Sequence, residues 1–335
     1  MIRQSFLRLF LIIAAVMAAA CASTGGPGGS KGNISGGYEE RAAGYPEVQY
    51  LRAVGSGQSE PEARNRAVSE LSRIFVSKVK SEAIDTARSV MVDRRDESLE
   101  ETLYSRISVL SELELEGVEI PEIWKEGGDY YALAVLERQK AARGWKLKIE
   151  DIDSRMEGEL IAAGGSGSKL LRYRSLRNVT SLWAERTVHM SRLNVLGFSA
   201  PSMQEDQVRG AIRDLAALRG NMRLFLEISG SSILASSVAE SLGKAGFIIA
   251  PSREGSDVAI IGRVDVKKLD VKAKDWKYAR ATASLSVMDA VSGESIGEVS
   301  ENIRSAHLTY SEASQKAQRS LAPKVSDAVI AVFDR

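Results

Sequence analysis

Residues 257–303 read DVAIIGRVDVKKLDVKAKDWKYARATASLSVMDAVSGESIGEVSENI. Apolar and polar side chains alternate through this stretch, and successive side chains of a strand point to opposite faces. Asp257 to Val271 and Trp276 to Met288 therefore read as two long strands joined near Lys274-Asp275. Asp289-Ala290-Val291-Ser292-Gly293-Glu294 is a tight connection, with Gly293 suited to a left-handed turn position. Ile296 to Ile303 is a further strand. Consecutive strands joined by turns predict an antiparallel sheet.

The flanks supply helices to cover it. Leu224 to Ile228 reads as a strand, Ile233 to Lys244 as a short helix, and Gly246 to Pro251 as a strand that stops at proline. Thr309-Tyr310-Ser311-Glu312 is a capping box. It opens a terminal helix with Ala313, Ala317, Leu321, Ala328, Val329 and Val332 on one side, which Pro323 should kink. Residues 222–335 thus predict a β-α-β-β-β-β-α domain of α+β class.

Residues 45–138 predict a second, smaller α+β domain. Val48 to Val54 reads as a strand ending in a tight turn at Gly55-Ser56-Gly57. Ser59 and Glu62 form a capping box with Pro61 in the first turn, and Ala67, Leu71, Ile74, Phe75 and Val79 make a core-facing helical stripe reaching Val90. A further helix is expected over Leu99 to Leu110. Glu112 to Ile120 alternates like a strand, and Gly127-Gly128-Asp129 turns the chain into Tyr130 to Val135. Between the domains, residues 139–197 predict a helical hairpin: Trp145, Ile149, Ile152, Met156 and Leu160, a break at Gly164 to Ser168, then Leu171, Val179, Leu182 and Val188. Residues 198–221 are expected to be a connector. The fold expected is two small helix-covered sheets, mixed or antiparallel, joined by that hairpin.

The N-terminus points to export. The chain opens with Arg3 and Arg8, an apolar run continues from Leu7 through Met17, and Ala18-Ala19-Ala20 precede Cys21, as in a secretory signal spanning residues 1–20. The apolar stretch is shorter than the roughly 20 residues a spanning helix needs. Cys21 is the only cysteine, so no internal disulfide can form. An ordinary signal cut after Ala20 would leave it a free thiol. Residues 21–44, rich in Gly and Ser from Ala22 to Gly37, predict a flexible tether.

Ala18-Ala19-Ala20-Cys21 resembles a lipobox, although Ala18 stands where Leu is commonest. The resemblance implies a covalent lipid, such as palmitate, on Cys21, and Ala22 rather than Asp implies sorting to the outer membrane, facing the periplasm. Ala53-Val54-Gly55-Ser56-Gly57, then Glu62-Ala63-Arg64 and Ala67, then Tyr130-Tyr131-Ala132, resemble the LPP-type envelope lipoprotein domain. The element order of residues 222–335, with SDVAIIGRV and VMDAVSGESIGEVS, resembles the periplasmic domain of LpoB-type synthase activators, CsgG, the TolB N-terminal domain and the flagellar protein FlgT. FlgT also places an LPP-like domain first, ahead of such a fold.

Composition narrows the chemistry. Without Arg3 and Arg8, 43 basic residues face 44 acidic ones, a net of −1, which argues against nucleic acid and against a polybasic membrane patch. Two histidines, His189 and His307, with one cysteine leave little for a transition metal, and no cofactor beyond the lipid is expected. Gly55-Ser56-Gly57 lacks the third glycine of a dinucleotide loop, Glu60 standing in its place. Gly164 to Lys169 lacks the Gly-Lys-Ser/Thr ending of a phosphate loop. Gly28-Gly29-Ser30-Lys31-Gly32 matches a nucleophile elbow only in letters, because it lies in the tether. Glu112, Glu114, Glu116, Glu119 and Glu122 read as one solvated strand face rather than two carboxyls opposed across a cleft. Neither histidine has an acidic residue at ligand spacing, and a lone histidine reads as structural.

Trp276, Tyr278 and Arg280 share one strand face, either packing against a helix or forming a partner-binding patch. The expected function is therefore a non-enzymatic interaction module. It is membrane-bound through its lipid and docks a periplasmic protein complex such as a peptidoglycan synthase, a flagellar ring or an envelope assembly machine. The alternative is a hydrolase of peptidoglycan or another envelope polymer, which needs a cleft joining carboxylates from separate segments. A ring or pore of CsgG type would need barrel strands from Asp257 to Met288, against which Lys267, Lys272 and Lys274 argue.

Overall fold

The computed structural model describes residues 37–91, 97–112, 115–199, 205–271 and 275–334. The signal segment, Cys21, the tether to Gly36, Glu114, Lys272 and Lys274 lie outside the described residues. Contacts divide the chain into one unit ending at Pro46 and another running from Glu47 to Arg335. The first contains a short helix, α1 (Gly37–Ala42), where the tether was expected to continue. Its sequence GYEERA has left the Gly/Ser composition for better helix formers.

In the second unit, β1 (Tyr50–Gly57), α2 (Glu60–Met91), α3 (Glu97–Ser111), β2 (Val118–Glu126) and β3 (Asp129–Glu137) form a three-stranded antiparallel sheet, order β1-β3-β2, packed on α2. Gly55-Ser56-Gly57 is not a turn but the end of β1, paired with Ala132, Tyr131 and Tyr130. A Cβ on Gly55 would lie 2.0 Å from Ala67 N, so glycine here lets the helix backbone press against the strand. Leu71, Phe75 and Val79 are buried at a spacing of four, whereas Ile74 is exposed and falls off the expected stripe. The Glu62 carboxylate accepts from Gln58 N at 2.9 Å, one residue earlier than the expected box. The strand expected from Glu112 begins only at Val118. Helix α3 runs to Ser111, and Gly117 turns the chain at φ +85° before pairing starts. Pro121 lies within the register shift between Glu119 and Glu122, where a residue without an N–H is tolerated.

The hairpin consists of α4 (Arg138–Gly165) and α5 (Lys169–Val195). Residues expected as a connector instead carry a helix, α6 (Glu205–Asn221), whose Val208, Ala211, Ile212 and Leu215 are buried. Then come β4 (Arg223–Ser229), α7 (Ser232–Lys244), β5 (Ile248–Ala250), β6 (Val258–Leu269), β7 (Lys277–Asp289), β8 (Ser295–His307) and α8 (Tyr310–Asp334), which continues through Pro323. The sheet order is β5-β4-β6-β7-β8, parallel where β4 meets its neighbours and antiparallel beyond. Helices α7 and α8 cover one face, and Gly297 sits so close to α8 that a Cβ would meet Val332 Cγ1 at 2.7 Å.

Helix α5 joins the two sheets. Its first half is held by the C-terminal layer: Lys169 to Asp257 at 3.0 Å, Arg172 to Asp214 at 2.7 Å, and Arg174 Nε to Val332 O at 3.0 Å. Its second half is held by the N-terminal layer, with Arg192 donating to Leu110 O at 3.0 Å and Asn194 to Glu82 at 2.5 Å. Neighbours on both sides explain why even Thr180, Thr187, His189 and Ser191 are buried on this helix.

The β7–β8 connection is built around Asp289. Its Oδ1 accepts from Val291 N at 3.0 Å and Ser292 N at 2.8 Å, and Gly293 takes φ +75°. Burial alone would raise the Asp289 carboxyl, but hydrogen bonds from Ser168, Ser292 and Val291 outweigh it and hold the group below the usual aspartate range. Asp289→Asn is expected to lower stability by about 1–2 kcal/mol at neutral pH. A depressed carboxyl contributes in full above its unfolded pKa of about 3.9 and loses that contribution as pH falls through the folded value. Urea midpoints of the two proteins should therefore converge in acid. A gap unchanged from neutral pH down to about pH 2.5 would refute the assignment.

Candidate functional site

Two surfaces concentrate chemistry. On β7, Ala279, Ala281, Ala283, Leu285 and Val287 are buried beneath the helices, so the alternate residues face away from them. Trp276, just before the strand, is 48% exposed, Tyr278 is half-buried and Arg280 is exposed. The helix-packing reading of this trio is thus replaced by an open sheet face. Register places Lys267 of β6 and Arg304 of β8 on either side of Arg280. The guanidinium of Arg304 lies over the Tyr278 ring, 5.4 Å from its centroid. Farther along, Arg263 is paired with Asp265 at 3.1 Å. Among the described residues, Lys267, Arg280 and Arg304 have no carboxylate partner.

Sequence reasoning found Tyr278 and Arg280 by alternation but not Lys267 and Arg304 as their neighbours. The missing signal is the register, since β8 shifts by one residue between Val287 and Met288. Without that shift Arg280 would face Ile303 instead of Arg304, because a one-residue slip exchanges the faces of a strand.

The second surface is a cavity of about 460 Å³ between α2, the α3–β2 connection, α4 and α5. Phe75 and Trp145 stack at 5.4 Å to form an aromatic wall. His189 is 7% exposed, lines the cavity, and its Nδ1 has no hydrogen-bond partner. Burial, with Arg192 and Lys148 nearby, pushes its imidazole down to about 4, so it is neutral at physiological pH. Burial also lowers the Arg192 guanidinium, and Glu116 opposes that shift.

Glu116, Asp151 and Glu185, from three separate segments, line the same cavity. The other glutamates of the expected acidic strand face are dispersed: Glu112 pairs with Lys80 at 3.2 Å and Glu119 with Lys140 at 3.3 Å. Both histidines have an acidic neighbour that the sequence reading missed: Glu185 stands one turn before His189 on α5, and His307 Nδ1 lies 2.7 Å from Glu312 at the start of α8. Among the described residues no group of three or more His, Cys, Asp or Glu is placed to hold a metal ion, and no helix is long and apolar enough to cross a membrane.

Comparison with known proteins gives one family. Residues 41–137, which include the three-stranded sheet with α2 and α3, match the model of the LPP20 lipoprotein family. No curated protein matches the chain. Among solved structures, a secreted protein of the human pathogen Helicobacter pylori is similar over 85% of this chain and 96% of its own, at 12% identity and a TM-score of 0.41. A minor lipoprotein of Acinetobacter baumannii aligns with 33% of this chain and 90% of its own, at 15% identity and a TM-score of 0.26. A Neisseria meningitidis lipoprotein aligns with 34% of this chain and 96% of its own, at 13% identity and a TM-score of 0.23.

Proposed function

We propose that this chain is a non-enzymatic interaction module of the bacterial envelope, anchored by lipid on Cys21 to the outer membrane and facing the periplasm. It docks an acidic segment of a partner protein on the open face of the five-stranded sheet. The observation that carries this reading is the row Lys267, Arg280 and Arg304, side by side on three strands. Like charges directly opposite one another oppose sheet formation, by a few tenths to about 1 kcal/mol per pair. Such a row is complementary to an anionic surface, and exposed Trp276 at its edge is a large apolar anchor of the kind that dominates interfaces. The LPP20 match supports the lipoprotein part of the reading. The tether raises the effective concentration of the body near sites within its reach. The family resemblances favour a partner such as a peptidoglycan synthase, a flagellar ring or an envelope assembly machine.

The test is in-cell photo-cross-linking of the full lipidated chain from position 282, one row beyond Arg280. One envelope protein should be captured, cross-linked through an acidic segment. K267E/R280E/R304E together should lower the yield at least about tenfold, equivalent to about 1.4 kcal/mol. Lys316→Glu with Arg319→Glu, exposed on α8, should leave it unchanged. Equal yields from the row variant and the wild type would refute docking at this face.

The hydrolase alternative draws on one observation, the meeting of Glu116, Asp151 and Glu185 in one cleft. Glycoside chemistry needs two such carboxyls at a defined separation, and Asp151 is already engaged by Arg155 at 3.4 Å. Release of soluble fragments from purified cell wall, abolished by Glu185→Gln, would favour that reading over docking.

A further inference from the structure

We infer that the cavity between α2, α4 and α5 binds a short peptide, a molecule with an ammonium group at one end, a carboxylate at the other and an apolar side chain between them. Its volume of about 460 Å³ falls in the range of small-molecule sites. Along α5 the charges are ordered, with Glu116 facing Arg192 at the basic end. Glu185, His189 and Arg192 lie on successive turns of α5, so the acidic and basic ends are about 10 Å apart at 1.5 Å per residue.

Helix α4 runs antiparallel beside α5. The Arg186–Asp153 ion pair sets the register of the two antiparallel helices. Asp151 therefore falls level with Val188, near the middle of the cavity and already held by Arg155, and Lys148 falls level with Ser191, beside Arg192. An extended dipeptide spans about 7 Å, which matches this separation once its end groups are added.

The centre of the cavity suits the rest of such a molecule. Stacked Phe75 and Trp145 offer a flat apolar wall, and buried polar atoms are ordinarily partnered, which His189 Nδ1 is not. A peptide amide lying between the charged ends would supply that partner. At the basic end Arg192 already faces Glu116 and donates to Leu110 O, which leaves exposed Lys148 as the mobile cation for a carboxylate. A second concavity of about 280 Å³ shares Glu116, Trp145 and Lys148 and continues the groove at that end.

The chain has two histidines, so imidazole NMR reads this site against an internal control, with His307→Gln making the assignment. The full chain is titrated with alanyl-phenylalanine, its N-acetyl derivative and its C-terminal amide. The free dipeptide should shift the His189 resonances saturably and leave His307 unmoved. Removing either end charge should weaken binding at least about tenfold. Lys148→Met should weaken the free dipeptide by a similar factor and leave the amide unaffected. No saturable shift with the free dipeptide, or equal affinity for all three forms, would overturn the assignment.

Discussion

Gly55→Ala should unfold the N-terminal layer, and Gly55→Val should do so more completely. The added Cβ would stand 2.0 Å from Ala67 N and 2.6 Å from Ala63 O, both backbone atoms of α2 that no rotamer change can move. Overpacking against mobile side chains typically costs about 1–3 kcal/mol, and a clash with helix backbone exceeds that range. The strand must either leave the helix or break its pairing with Ala132, and both expose Ala63, Ala67 and Leu71. Gly158→Ala supplies the contrast. Nothing lies within 4 Å of a Cβ there, in the middle of α4, so alanine should raise stability by about 0.5–1 kcal/mol. Urea denaturation followed by circular dichroism measures both. A Gly55→Ala protein with a wild-type midpoint would show that β1 does not press on α2 as described.

The other large effect concerns Arg186. It is 1% exposed, deep in α5, and holds Asp153 of α4 through Nε at 2.5 Å and Nη2 at 3.1 Å. Removing the carboxylate takes two charge-assisted hydrogen bonds from a buried guanidinium, a loss of about 3–5 kcal/mol. The Asp153 side chain is 36% exposed, so water moderates the effect toward the lower figure. Asp153→Leu is therefore expected to cost about 3 kcal/mol. Adding Arg186→Met should recover most of that, because apolar replacement of a whole buried pair is often neutral. A double-mutant cycle on urea midpoints reads the coupling, and additive single effects would mean that the pair does not brace the hairpin.

Local spacing made much of this fold legible, and its failures have physical causes. The long alternating strands, the Gly293 turn and both hairpin helices follow from periodicities that the backbone itself imposes. Helix α6 carries the same periodicity in Val208, Ala211, Ile212 and Leu215, but Arg209, Arg213 and Asp214 between them make it resemble a polar connector. Gly55 and Gly57 were expected to turn, because glycine is permissive in isolation. Only the approach of α2 shows that what matters is the absent side chain, not the backbone freedom.

The candidate sites divide in the same way. Tyr278 and Arg280 were recognisable from strand alternation alone. The row they belong to depends on registers across three strands and on the shift between Val287 and Met288. His189 was visible as a lone histidine, but its cavity exists only where α2, α4 and α5 meet.

The sequence by itself determined the long strands and helices and, for most of them, which side is apolar, because each depends on residues within a few positions of one another. The tertiary structure decided which cations stand together, which carboxylates share a cleft and why one glycine is required. Those properties arise between residues tens or hundreds of positions apart, brought together by packing that no local pattern encodes.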